Sequence, residues 1–550
     1  MTRWTNLTLL ALLLAMVLVV GACGGATEPA EEPEEPAETE EPAEAEEPAE
    51  EPVDHEPVVI LQGVDMDNMD PYQGQTLSST NIHLHVFEAL TDRDANMETQ
   101  PMLATEWGIV TEDNRTWEFK LREDVVFQNG DPMNADAVVF SFERLDEMIQ
   151  AGVDADNHTH AILDMESIVA VDEYTVHLTT NSPNPVVPQI VNSMWILSPN
   201  VLADVSFEDA TRLDPVGTGP YKLVEWVPDE YVRMEAWEDY RDGAPAVKEI
   251  MWRPVPETAT RIAELKAGGA DLIVNVPPDL VDDVDSHPGV EVRTVAGGRR
   301  IIIGIGHGRN PRHPANEDKR VRQAMNYAFD AEGMFESLLG GLGEPAGTIV
   351  NPPNSNPDIE PYPYDPDKAA ELLDEAGWTL NPDTGIREKD GEKLSLVFHT
   401  PDGRYIQDRN MAQVVASDLE AVGFEIDLQV VEWSIFIGMA ANQGAGFGDL
   451  HLIGSGTSFT WMDIAFFAAE SGSNRVGFEN ERFEELYAEL SQEFDTDRQR
   501  ELLWELEEIV REEAPCIFTW FQVDIYAASD RLDWQPRADE RIRMTEATLR

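Results

Sequence analysis

The stretch TWEFKLREDVVFQNGDPMNADAVVFSFER, Thr116–Arg144, changes its hydrophobic period within a few residues. From Thr116 to Arg122 polar and apolar side chains alternate, the pattern of a half-buried strand. Val125–Phe127 reads as a second short strand, and Asn129-Gly130 is a turn signal. Asn134 then caps a helix whose Ala135, Val138, Val139, Phe142 and Leu145 fall on one face. Strand, turn and capped helix in this order are the grammar of an α/β fold.

The same grammar continues outward. TATRIAELKAGGADLIV predicts a helix ending near Gly268-Gly269, followed by a strand at Asp271–Val274. DKRVRQAMNYAFDAEGMFESLLGG predicts one long helix closed by Gly340-Gly341. DPDKAAELLDEAGW is explicit, with Asp365 at the cap, Pro366 in the first turn and Gly377 just past the end. MAQVVASDLEAVGF predicts a helix stopping at Gly423, before an alternating strand Glu425–Val430. Glu479–Glu513 predicts a helical hairpin broken near Asp495–Asp497.

Five hundred and fifty residues exceed one core, so two or three packed units are expected. The net charge is −68. Without the 15 acids of Glu28–Glu56 and the lone Arg3, 91 acids still face 37 bases. So acidic a body repels nucleic acid and anionic headgroups, which excludes a DNA- or RNA-binding role. At the N-terminus, Leu9–Val20 is uninterrupted apolar sequence, of signal-peptide length rather than spanning length. Val20-Gly21-Ala22-Cys23 resembles a bacterial lipobox, which implies lipidation of Cys23 and an anchor in the membrane. The Glu-Pro-Ala tract behind it lacks apolar side chains and repels itself, so it reads as an extended tether. Once Cys23 is lipidated only Cys516 remains, in the apolar setting APCIFTW, and a buried small hydrophobe is expected there.

The local signatures of the body, Pro57 to about Trp534, resemble in their order the family 5 extracellular solute-binding proteins of ABC transporters, the peptide/oligopeptide/nickel-binding class. Met69-Asp70-Pro71-Tyr72, Val86–Thr91, Pro101–Ala104 with Trp107, and Thr116–Arg144 carry the first half of this likeness. Pro215–Tyr221, Asp318–Ala324, Tyr364–Trp378 and Asp402–Tyr405 with Asp408 carry the second. The resemblance implies an α/β, two-lobed periplasmic-binding-protein-like clamshell of type II, cluster C-like, with an extra subdomain in the first lobe. The boundaries expected from it are a leader 1–22 and the lipidated Cys23 with its tether, 23–56. Lobe I takes 57–96, 205–295 and 515–550, the extra subdomain 97–204, and lobe II 296–514. Such a protein is no enzyme and needs no cofactor. It works as a monomer with an oligopeptide or oligosaccharide ligand and with ABC permease subunits, on the extracytoplasmic face. A surface sensor of the same fold and, more remotely, a secreted metal-dependent hydrolase are the alternatives.

Other motifs fall away on inspection. Gly217-Thr218-Gly219 lacks the Lys-Ser/Thr of a phosphate loop and is expected to be a turn with glycine at positive φ. Gly454-Ser455-Gly456 is not a nucleophile elbow. His83/His85 and His158/His160 have strand-face spacing, but further metal ligands at diagnostic spacing are missing, so no metal is expected. His307, at a strand end where the family usually carries Asn, is a candidate to face the ligand. The segment Asp449–Phe467 resembles a cleft-lining loop in which peptide-binding members place a carboxylate against the ligand's ammonium. Here that loop offers Ser455, Thr457, Trp461 and only one acid, Asp463, which suits a neutral, hydroxyl-rich ligand. The expected ligand contacts are Asn81, Phe87, Arg404, Trp433, Ser455, Thr457, Trp461 and Asp463.

Overall fold

The computed structural model describes residues 56–550 except 75, 154, 311, 352, 353, 403, 456–460, 470 and 472; of residues 157, 158, 344, 434, 441, 442 and 461 only the backbone is described. The leader, Cys23, nearly all of the tether, Thr457 and the Trp461 side chain therefore lie outside the described residues. Among them no helix is long and apolar enough to cross a membrane.

Strand β1 (Val58–Gln62) enters the main sheet and is followed by helix α1 (Leu77–Val86). Four strands then build a separate antiparallel sheet: β2 (Ala104–Ile109), β3 (Thr116–Leu121), β4 (Met165–Asp172) and β5 (Thr175–Thr180), in the order β2-β3-β5-β4. The alternation read in β3 is real: Trp117, Phe119 and Leu121 are buried and their neighbours are not. Helix α2 (Ala135–Gln150) packs on β4 and β5 of this sheet, capped by the Asn134 side chain accepting from Ala137 N. Val125–Phe127 is not a strand. It makes one bridge, Val126 to Pro132, because the proline has no N–H to extend the ladder. Arg144, at the end of the same stretch, forms a buried ion pair with Asp70, so α2 is fastened to the loop before α1.

Helix α3 (Asn157–Leu163) completes this layer. The chain then returns to the main sheet through β6 (Tyr221–Val227), β7 (Tyr231–Ala236) and β8 (Glu249–Pro254), α4 (Thr258–Lys266) and β9 (Leu272–Ile273). The Gly217–Gly219 turn before β6 corrects the expectation of positive φ. Neither glycine is left-handed; a Cβ on Gly217 would stand 1.9 Å from the Val86 carbonyl oxygen, so close backbone approach demands the glycine.

Strand β10 (Val290–Ile305) leads to α5 (Lys319–Ala328) and α6 (Ala331–Leu338). The single helix expected here is two: Phe329-Asp330 interrupts it, and Asp330 caps α6 by accepting from Gly333 N. After α7 (Pro366–Glu375) come β11 (Ser395–Thr400), α8 (Asp408–Ala421), β12 (Glu425–Val430), α9 (Trp433–Gly444) and β13 (Leu450–Ser455). The hairpin α10 (Glu481–Leu490) and α11 (Thr496–Glu513) precedes the long strand β14 (Cys516–Ser529). Cys516 is fully buried on β14, and burial pushes its thiol pKa up.

The main sheet runs β12-β11-β13-β10-β14-β9-β1-β8-β7-β6, with one short strand beside β14. Its two long strands divide it. Val290–Ala296 pairs with Val523–Ser529 beside β9, whereas Arg300–Gly304 pairs with Cys516–Phe521 beside β13. Register is broken between Ala296 and Arg300, where Gly297-Gly298 sit. Strands β1 and β6–β9 lie to one side of β10 and β14 and β11–β13 to the other, so the two long strands run through both halves, while the buried faces of α10 and α11 share a core with β1 and Trp117. Ile301, Ile303 and Ile305 of β10 pack with Phe398, Met411, Val415 and Leu450 in the second lobe's core. The separate sheet meets the α10–α11 hairpin at the Trp117 ring, 6.2 Å from Phe494.

Gly217→Ala should lower the unfolding free energy by at least about 1–3 kcal/mol, the cost of overpacking against backbone that has nowhere to move. Urea unfolding against wild type checks this; a Gly268→Ala control, where a Cβ meets only open space and just the φ of +77° opposes it, should cost less.

Candidate functional site

The break in β10 places two arginines side by side at the crossing, and each organises its own cluster. Arg300 sits in the first. Its Nη1 is 2.9 Å from Asp463 Oδ1, and its Nη2 donates to Ser455 Oγ at 3.2 Å. Asn351 donates to Gly298 O at 2.9 Å and to Asp463 Oδ2 at 3.4 Å, tying this pair to the break in β10. Asp463 and Arg300 are almost wholly buried, so each is the other's compensation. Arg93 stands within electrostatic reach of Asp463 from the first lobe; burial, with Arg541 nearby, lowers its pKa to about 10.

Arg299 organises the second cluster. Its Nη2 donates to Glu540 Oε1 at 2.8 Å, across from the C-terminal segment. Tyr405 and Asp524 lie within its field. Arg404 follows from a turn that Asp408 builds: Asp408 Oδ2 accepts from Arg404 N and Tyr405 N at 2.9 and 3.0 Å. The Arg404 guanidinium lies 5.2 Å from the ring centroids of both Tyr405 and Trp433, which meet edge to face. Tyr405 OH donates to Gly454 O, fixing the platform to β13. Arg404 is exposed along its length, while burial of its head group and then Arg299 lower its pKa. It forms no ion pair among the described residues. A half-desolvated guanidinium on an aromatic platform is suited to an anionic or carbonyl-rich group.

Of the expected contacts, the structure brings Arg404 together with Trp433, and Ser455 with Asp463. Asn81 lies one layer beneath, its amide donating to Glu540 O and accepting from Ile542 N. Phe87 is elsewhere, buried in the apolar wall with Met69, Pro71 and Leu213. His307 is corrected: it is buried against Phe478 with Nδ1 on Ile305 O, and burial lowers its pKa to about 4. The paired histidines are corrected too. His83 and His85 lie on helix α1, not on a strand, and face apart. Burial lowers their pKa to about 4 and about 3, and they hold Asn68 O and Asn81 O. His160 is on helix α3. No group of three or more metal-ligating side chains occurs among the described residues.

Sequence reasoning missed Arg299, Arg300, Gln522, Asp524 and Glu540. Two of the signals were legible: Gly297-Gly298-Arg299-Arg300 is an odd interruption of a strand, and Gln522 and Asp524 are polar residues in an apolar run.

The family model described as "Bacterial extracellular solute-binding proteins, family 5 Middle" matches residues 98–476. The oligopeptide-binding protein AppA of Bacillus subtilis is 24% identical over 478 residues, 84% of this chain and 86% of its own length. The nickel-binding periplasmic protein of Escherichia coli is 27% identical over 356 residues, 62% of this chain and 65% of its own. The solved structure of Bacillus subtilis AppA with a nonapeptide has a TM-score of 0.76 at 23% identity, covering 90% of this chain and 99% of that one.

Asp463→Asn should destabilise the fold by about 3–5 kcal/mol by stranding Arg300, and the apolar pair Arg300→Met with Asp463→Leu should restore most of it. Urea unfolding of the three variants checks the sign and the recovery.

Proposed function

The chain belongs to the bacterial extracellular solute-binding proteins of family 5, and from that premise we propose that it captures a peptide-like ligand between its lobes and hands it to an ABC permease. The observation that carries this reading is the hinge. Two strands cross between the lobes, and the residues around their break come from both sides: Glu540 from the first lobe, Arg404 and Tyr405 from the second. A ligand there touches both lobes at once and is bound more tightly when they close, so binding energy is spent on closure. Capture of this kind needs no bond-making, and the chain acts as a binding protein rather than an enzyme.

We assign Arg404 and Trp433 as ligand contacts on the second lobe. We further assign Ser455, Thr457, Trp461 and Asp463 to the ligand by the likeness of their segment to a cleft loop, and read Asn81 as support from beneath, through its bonds to Glu540 and Ile542. The ligands for which the relatives are named, an oligopeptide and nickel, favour a peptide-like group or a small chelate over an oligosaccharide. We also read Cys23 as the lipidated N-terminus of a monomer tethered on the extracytoplasmic face, with the Glu-Pro-Ala tract as the spacer.

Calorimetry on protein stripped of bound ligand by unfolding and refolding, with tri- to pentapeptides, nickel–histidine complexes and oligosaccharides, tests the ligand class. Arg404→Ala and Trp433→Ala should each weaken the true ligand about tenfold or more, or about 1.4 kcal/mol. Unchanged affinity in both would remove the site from this cluster. Separately, Cys23→Ala should accumulate as unprocessed precursor or appear in the medium; processing and retention like wild type would refute the anchor.

A further inference from the structure

Behind the break in β10 lies a carboxyl group with no cation. Glu507 of α11 is 0% exposed, on the helix face of the fully or nearly buried Leu503 and Val510. Its Oε1 accepts from Thr348 Oγ1 at 2.6 Å and its Oε2 from Asn356 N at 2.8 Å, so one side chain fastens both ends of the loop 348–356. Trp504, on the same helix, adds a bond from its ring N–H to Asn354 O at 3.3 Å. Inside the loop, Ile349 and Val350 are buried in the same core as Leu503 and Val510, and Asn351 reaches to Gly298 O and Asp463 Oδ2. A helix side chain thus bears on the break through one loop.

Other buried acids are matched by arginine, as Asp70, Glu88 and Asp463 are. Glu507 forms no ion pair among the described residues, and the charge that acts on it is a second acid, Asp463 of the short helix Trp461–Phe467. The bases of the elements packed on α11 are spent elsewhere. Lys319 and Arg322 of α5 serve Glu512 and Glu513, and Arg482 of α10 serves Glu485 and Glu505. On α11 itself Arg498 serves Glu489 and Arg511 donates to Glu360 O. A buried carboxylate so placed takes up a proton in preference to holding its charge. Burial raises the Glu507 pKa to about 7, against its two hydrogen bonds and with Asp463. The protonated form fits the same site: one oxygen accepts from Asn356 N, and the O–H donates to Thr348 Oγ1, a hydroxyl that accepts as readily as it donates.

We propose that Glu507 is a positioning residue for the break in β10, locking the loop behind it while it holds a proton and releasing that loop when the proton is lost. Neutral, it fastens the loop without burying a charge, and Asn351 stays on Gly298 O and Asp463. Ionised, it gains by reaching water, and water reaches it when the loop parts from α11; Asn351 then leaves Gly298 O. The sign follows from linkage. The buried carboxyl keeps its proton to about pH 7 and the hydrated one only to about 4.5, so its contribution to the closed loop is fully present below about pH 4.5 and is lost as pH rises through about 7. The break is therefore stiff in acid and compliant above neutrality. This property goes beyond ligand capture and does not depend on which ligand the lobes take.

Hydrogen exchange of the whole protein, read by mass spectrometry at about pH 6 and about pH 8 and corrected for the intrinsic effect of pH on amide exchange, tests this. In wild type, peptides covering 346–358 and 296–301 should lose protection by about tenfold between the two, the ratio that carboxyl values of about 4.5 open and about 7 closed give. Glu507→Gln keeps an acceptor for Asn356 N and a donor for Thr348 Oγ1 but has no proton to lose. It should keep both peptides protected at both pH values, melt like wild type at the lower pH and melt above wild type at the higher. Glu507→Leu, which has neither group, should lose protection at both. Asn351→Ala cuts the link alone: it should free 296–301 at both pH values and leave 346–358 pH-sensitive. A pH dependence that survives unchanged in Glu507→Gln, or wild-type peptides equally protected at both pH values, would overturn the proposal. A loss of protection confined to 346–358 would overturn the coupling to the break.

Discussion

The rest of the molecule depends on one ladder, the antiparallel pairing of β10 with β14 and its interruption at Gly297–Arg299. Intact pairing on either side holds each half rigidly within its own lobe. At the break the β14 partner is lost: Gly298 N turns to Ala538 O instead, and the Cβ space that Gly297 gives up is taken by the Asp524 carboxylate. Everything placed there, from Arg299 and Arg300 to Asp524 and Glu540, is therefore mechanically shared by both lobes. A charge that is cheap to bury in one arrangement becomes expensive in another.

A chain this acidic must spend its few bases with care. The buried pairs Arg144–Asp70, Arg241–Glu88 and Arg300–Asp463 all use arginine, whose planar fork satisfies a carboxylate and a neighbouring acceptor together. Glu88 illustrates it, accepting two guanidinium bonds from Arg241 and a third from Tyr240 OH. Arg144 and Arg241 fasten the loops around α1, and Arg300 fastens the hinge.

How much could be read from the chain alone follows from the range of the forces involved. The helix from Pro366 to Glu375 was legible because cap, first-turn proline and terminal glycine are all local. The strand at Thr116–Leu121 was legible because one face is buried and the other is not. The break between α5 and α6 was hidden, since Phe329-Asp330 carries neither glycine nor proline and the capping bond of Asp330 is the only sign. His83 and His85 were placed on a strand by spacing alone, although Thr76 caps a helix a few residues earlier. Arg404 and Trp433 were named by likeness, and what likeness did not show is that the turn built by Asp408 lays one over the other. Asp524 showed only as a polar residue in an apolar strand, and its setting depends on a partner strand about 230 residues away.

The aromatic contact between Trp117 and Phe494 ties the separate sheet to the α10–α11 hairpin, whose buried face lies in the same core. Such a pair contributes about 0.5–1.5 kcal/mol beyond its buried area. It joins elements far apart in the chain, so the hairpin acts as a strap: loosening it would free the small sheet from the main body before either sheet unravels.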